Sequence, residues 1–136
     1  MRKLLTCFGI ILLLGHCNTT HNNYPTASSS TSDKEYHEVM KTYKFETAEV
    51  LNYLLNDVSP ENPKTAITIE NTSRCNIVIT VSGGNSYYKK IPIAVGKIGS
   101  VMIPKNQTYR LSGMVCKSSY QTSKYITNAY SVKLSD

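Results

Sequence analysis

The chain has no tryptophan and two phenylalanines, and its last 74 residues hold two carboxylates, Glu70 and Asp136. Paired-carboxylate hydrolysis needs two acids flanking one bond, and Asp136 is the final residue, so that chemistry has almost no candidates here. Histidine is as sparse: beyond residue 32 only His37 is present, and nucleophilic catalysis of the triad kind would rest on that one side chain. Cys75, Cys116 and His37 have no zinc-site spacing, and no acidic loop resembles a calcium site. The glycines of "SGGN" (82–85) lack the helix and lysine that a phosphate loop requires. No CxxC pair points to redox exchange. These absences imply no metal and no cofactor, and they make a non-enzymatic protein the expectation. A hydrolase would have to bring His37, Glu70 and an exposed hydroxyl into one pocket.

Apolar runs are short as well. Leu4 to Leu14, behind Arg2 and Lys3, is about eleven mostly apolar residues, too short to cross a bilayer as a helix and of the length of a signal-peptide core. It ends in "LGHC", residues 14–17, which resembles a bacterial lipobox, with His16 standing where Gly, Ala or Ser is usual. Residues 1–16 therefore read as a leader and Cys17 as the lipidated first residue of the mature chain. Cleavage after Cys17 and retention as a membrane anchor are the rival readings. Several acyl chains hold firmly where one holds marginally, because each buried methylene contributes about 0.8 kcal/mol. Asn18, in the position where Asp retains lipoproteins at the inner membrane, favours the outer membrane of a bacterial envelope.

What is present then falls into three stretches. Residues 17–32, rich in Ser, Thr and Asn without apolar periodicity, read as a lipidated cysteine and a tether. Residues 33–62 read as helical. Ser32 with Glu35 fits a capping box, and Tyr36, Val39, Met40 and Tyr43 recur at helical spacing. A second helix begins near Thr47, where Val50, Leu51, Leu54, Leu55 and Val58 make an apolar stripe. The stripe carries Glu rather than Lys or Arg on its polar side, so packing of Leu51, Leu54 and Leu55 onto the following sheet is expected rather than a membrane surface.

From residue 63 the period is two, with turn residues at intervals of about ten, which gives six or seven mainly antiparallel strands and a small β-sandwich over 63–136. Thr65, Ile67 and Ile69 share a face, as do Cys75, Ile77, Ile79 and Val81, and then Tyr87, Lys89, Ile91 and Ile93. Gly83 and Gly84 offer positive φ for a turn. Pro92 favours an edge strand. With Cys7 in the leader and Cys17 lipidated, Cys75 and Cys116 remain as an even pair in an oxidising setting and read as a structural disulfide.

The formal charge of +6 is unevenly placed: residues 33–61 hold seven acids against three lysines, and 64–136 hold ten bases against two acids. A basic face for an anionic partner, such as lipid headgroups or polysaccharide, is one reading, and a solvated surface with attraction between the two stretches is the favoured one; nucleic acid is not expected as a partner. The most ligand-like patch is Tyr87, Tyr88, Lys89 and Lys90 with Arg110, Tyr120 and Lys124, and Lys117 and Tyr125 nearby. Aromatic faces beside cations suit a sugar ring or a peptide. Alternation sends Tyr87 and Tyr88 to opposite faces, and ordinary sheet surface is the competing reading.

"ENTSRCNIVITV" (70–81) and "IPIAVGKIGSVMIPKNQTYRLSGMVCKSSY" (91–120) resemble the carboxy-terminal domain of an uncharacterised family of flavobacterial-type lipoproteins with a small β-sandwich. The resemblance covers 63–126 best, and "VLNYLLND" ahead of it also fits. It implies a fold and an envelope location and no activity. Together these readings give a tethered, non-enzymatic β-sandwich with the membrane as partner through its lipid. An envelope protein or glycan is the further partner class, and a glycan- or peptide-binding module is the alternative.

Overall fold

The structure is a computed structural model that describes residues 31–56 and 59–136. The leader, most of the tether, and with them Cys17, lie outside the described residues. Two helices, α1 (Thr31–Met40) and α2 (Thr47–Asn56), precede seven strands: β1 (Lys64–Asn71), β2 (Ile77–Gly83), β3 (Tyr87–Ile93), β4 (Ile98–Pro104), β5 (Gln107–Val115), β6 (Ser118–Ile126) and β7 (Tyr130–Leu134). They form a three-stranded sheet in the order β4-β1-β7 and a four-stranded sheet in the order β3-β2-β5-β6. Pairing is antiparallel except between β1 and β7.

The period of two puts the β-branched residues between the sheets. Ile67 and Ile69 of β1, Ile77, Ile79 and Val81 of β2, Ile91 and Ile93 of β3, and Val101 and Ile103 of β4 are buried in one core with Tyr109 and Leu111. Where β4 faces β3 a side chain is omitted: a Cβ on Gly99 would stand 2.7 Å from both Ile91 and Ile93. Pro92 lies in β3, an edge of the four-stranded sheet, where its missing N–H costs no ladder bond.

Asn71, at the end of β1, is fully buried and organises the point where the chain crosses between sheets. Its Nδ2 donates to the carbonyls of Cys75 (2.8 Å) and Ile93 (3.0 Å), and its Oδ1 accepts from the Ser73 N–H (3.0 Å) and hydroxyl (2.6 Å). Its backbone N–H donates to Lys97 O and its carbonyl accepts from Gly96, so the β1–β2 and β3–β4 crossings are tied together. The Cys75–Cys116 disulfide adds the β5–β6 turn to the same end of the sandwich.

Two expectations are corrected. The turn after β2 does take positive φ, but at Asn85 (57°) and Ser86 (61°) rather than at the glycines. The loop is three residues, Gly84 to Ser86, between the paired Gly83 and Tyr87, and it is closed by Tyr87 N–H donating to Gly84 O. Gly83 is required for another reason, since a Cβ there would meet the Tyr109 ring at 2.5 Å. The second correction concerns α2. Val50 and Tyr53 are buried against Ala66 and Met102, while Leu51 (54% exposed), Leu54 (42%) and Leu55 (72%) are not packed on the sheet. A tyrosine decides the rotation. Its ring buries more area than a leucine, and its hydroxyl reaches Thr65 Oγ1 at 3.1 Å, a contact no leucine could make.

Candidate functional site

The end of α1 and the link to α2 lie beside β3, and this is where the ligand-like residues are met by unforeseen partners. Lys89 pairs with Glu46 and its ammonium stands 5.8 Å from the centroid of the Tyr43 ring. The other carboxylate oxygen of Glu46 accepts the Met102 N–H (2.9 Å), and the Tyr87 hydroxyl donates to Met102 O (3.2 Å). Met102 lies in β4, the edge of the other sheet, so these side chains occupy backbone groups that an open edge would offer to another chain. Burial pulls Lys89 below the usual lysine range. It pushes the Tyr87 phenol up to about 12, with Tyr109 and Tyr43 adding to the effect. Both residues therefore close the gap between the two sheet edges.

Outside that closure runs a shallow groove of about 580 Å³, lined by Glu38, Tyr43, Lys44, Tyr88, Lys89 and Lys90 among others. Lys90 reaches Glu35 of α1 at 2.6 Å, and that hydrogen bond holds its ammonium above the usual range. Tyr88 is 64% exposed and Lys44 is exposed. Aromatic face, cations and carboxylates in one groove can stack on and hydrogen-bond to a polyhydroxylated ring.

The remaining members of the sequence patch are dispersed. Tyr88, Ser82, Arg110 and Ser123 stand in one row across the outer face of the four-stranded sheet, so Tyr88 and Arg110 are two strands, roughly 10 Å, apart. Arg110 donates to Gln121 Oε1. Tyr87, Gly83, Tyr109 and Lys124 form the neighbouring row on the inner side, with Lys124 on β6 at the opposite edge from β3. Tyr120 is half-buried against the core. The fold thus brings together Tyr88, Lys89 and Lys90, and separates them from Arg110, Tyr120 and Lys124.

His37 lies in the last turn of α1, edge-on to Tyr36, and α1 packs on β2 and β3. Glu70 is in β1 of the other sheet and pairs with Lys133 at 3.2 Å. The two do not share a pocket. Among the described residues no cluster of three His, Cys, Asp or Glu side chains could hold a metal ion. A second shallow groove, of about 510 Å³, surrounds the disulfide, where Arg74 pairs with Asp136 at 2.7 Å beside Lys117. Reading the sequence missed Glu35, Tyr43, Lys44 and Glu46 as neighbours of the lysines. The charge imbalance between residues 33–61 and 64–136 signalled the two glutamates, without saying which acid meets which base, and nothing signalled Tyr43 or Lys44.

Residues 37–136 match the family described as Domain of unknown function (DUF6759), over α2, every strand and the last turn of α1. The chain belongs to the DUF6759 family. The DUF6759 domain here includes the whole sandwich and both cysteines of the disulfide, as the resemblance implied for the fold. The crystal structure of a DUF3823 family protein from Parabacteroides merdae is a structural neighbour, at 11% identity and a TM-score of 0.40. The overlap covers 54% of this chain and 45% of that one, less than half that protein's length. No curated protein matches this sequence.

Proposed function

We propose that this DUF6759 protein is a non-enzymatic envelope lipoprotein, held by lipid on Cys17 and presenting its β-sandwich at the end of a tether as an interaction or structural module. One observation carries the reading: the groups an acid–base enzyme would use are parted or already paired. His37 is on α1, which packs on the four-stranded sheet, and Glu70 is in the three-stranded sheet, while Lys89, Lys90, Arg74 and Lys133 each face a carboxylate. The disulfide supports an exported address, since such bonds persist in oxidising compartments. The experiment is expression with and without globomycin, followed by mass spectrometry of the amino terminus. Precursor accumulation and a diacylated or triacylated Cys17 are expected. Processing insensitive to the inhibitor, with an unmodified terminus, would sink the anchor.

A second reading, a glycan- or peptide-binding module, is favoured by one feature: the 64% exposed Tyr88 beside Lys44 and the Lys90–Glu35 pair in one groove. The structure changes which variants test it. Tyr87 and Lys89 help close the sheet edges, so their loss would confuse binding with folding. Tyr88→Ala and Lys44→Ala are clean, and glycan-array and envelope pull-down signals unaltered by both would reject this reading.

A further inference from the structure

We infer that the exposed leucine face of α2 is a membrane-resting surface, seated on the zwitterionic bilayer that holds the Cys17 anchor; this rests on the lipoprotein reading above. α2 has two apolar sides. Val50 and Tyr53 are buried on the sandwich, Leu51 and Leu55, 54% and 72% exposed, form a second stripe turned away from it, and Leu54, 42% exposed and about 40° round the helix from Val50, stands on the border between the two. At about 100° per residue, Leu51 and Leu55 lie about 100° and 140° round the helix from Val50, and Glu49 lies about 160° from Leu51. The one acid of this helix therefore points away from the stripe, and nothing along it is basic. A surface rich in anionic lipid would gain nothing from such a helix, whereas a neutral headgroup layer can take the leucines without an electrostatic cost.

Size and reach select the occupant. The three leucines offer on the order of 300 Å², well below the roughly 800 Å² per partner of a stable protein interface, so a second copy could not be held by this face alone. A bilayer needs no such area, because the anchor makes the contact intramolecular. Thirteen residues lie between Cys17 and Thr31, the start of α1. A chain of that length spans about 20 Å as a coil and about 50 Å at full extension, so every face of a domain this small can reach the lipid. Linkers of this length give effective concentrations of about a millimolar, at which a contact too weak to hold a free domain is populated.

The absence of tryptophan makes the test direct. The mature chain with Leu55→Trp, purified from its own envelope, is reconstituted in vesicles of phosphatidylcholine and phosphatidylethanolamine. Ser123→Trp, on the outer face of the other sheet, is the control. Leu55→Trp should emit to the blue of Ser123→Trp and be quenched about twofold more by brominated lipid, as a side chain at the headgroup boundary is. A lipidated, vesicle-bound protein whose Leu55→Trp emission stays that of water overturns this inference alone and leaves the anchor standing. A blue shift that grows with protein density at fixed lipid identifies a second copy on the face and also overturns it. An unmodified Cys17 removes the anchor and this inference together.

Discussion

Replacing Asn71 by Ala should be among the most damaging single changes available in this domain. The side chain is fully buried and makes four hydrogen bonds, to the carbonyls of Cys75 and Ile93 and from the Ser73 N–H and hydroxyl. Alanine leaves the Ile93 carbonyl and the Ser73 N–H without these partners in a buried site, while Cys75 O keeps the Ser73 hydroxyl, 3.2 Å away. Each stranded group costs about 1–3 kcal/mol, and partial relaxation brings the total to about 3–4 kcal/mol, a large share of the 5–15 kcal/mol of a whole domain. Urea unfolding of the oxidised protein, followed by far-ultraviolet circular dichroism, reads this as a fall in midpoint of about 2 M at a typical slope. A loss below about 1 kcal/mol would refute the claim that Asn71 ties the two crossings together.

Asn71→Asp sharpens the test through pH. The carboxylate would still accept from Ser73 but would turn an oxygen toward the Cys75 and Ile93 carbonyls, so the folded state would favour the protonated acid. The folded pKa would then lie above the unfolded value of about 3.9, with stability retained below that pH and lost as pH rises through the folded pKa. The variant should therefore approach wild-type stability near pH 4 and fall furthest behind it at pH 7.

Three further outcomes follow from the packing and the disulfide. Cys75→Ser with Cys116→Ser opens a loop of sequence separation 41 and should lower stability by about 4 kcal/mol, seen as a drop of roughly 20 °C in the melting temperature; a change of a few degrees would contradict the staple. Gly113→Ala places a Cβ 2.3 Å from Val78 O and should cost about 2–3 kcal/mol in the same urea assay by prising β5 from β2. Tyr87 is raised to about 12 by burial, so wild-type stability should be full below pH 10 and decline as pH rises toward 12. The decline, discounted for partial exposure, amounts to about 1–2 kcal/mol. Tyr87→Phe loses the Met102 hydrogen bond, about 1 kcal/mol at pH 7, and should flatten the alkaline decline in pH-dependent unfolding.

Much of the sandwich was legible because its core is written in β-branched residues at a period of two. Ile67, Ile69, Ile77, Ile79, Val81, Ile91 and Ile93 are all buried as that period requires, and Pro92 is on an edge. Helix rotation was not legible. In "VLNYLLN" a stripe through Val50, Leu51, Leu54 and Leu55 and a seam through Val50 and Tyr53 are both helical, and only the presence of Thr65 and Ala66 opposite decides between them. Asn71 was invisible for a similar reason: an Asn at the end of a strand reads as a turn residue until the Ile93 carbonyl, 22 positions on, is folded back onto it.

The same limit reshapes the search for function. Lys89, Lys90 and Tyr87 looked like binders because a sequence shows cations and rings but not what they face, and in the fold Glu46, Glu35 and Met102 O face them. Leu51, Leu54 and Leu55 looked like core for the complementary reason, since apolar residues at helical spacing are usually buried. The fold gives Lys89, Lys90 and Tyr87 intramolecular partners and leaves Leu51, Leu54 and Leu55 open to solvent. Polar groups that meet in pairs on a surface stabilise little, and their loss is readily absorbed. An uncovered apolar stripe on a helix already anchored by its other side is costly to leave in water, so α2 is where an external contact would gain most.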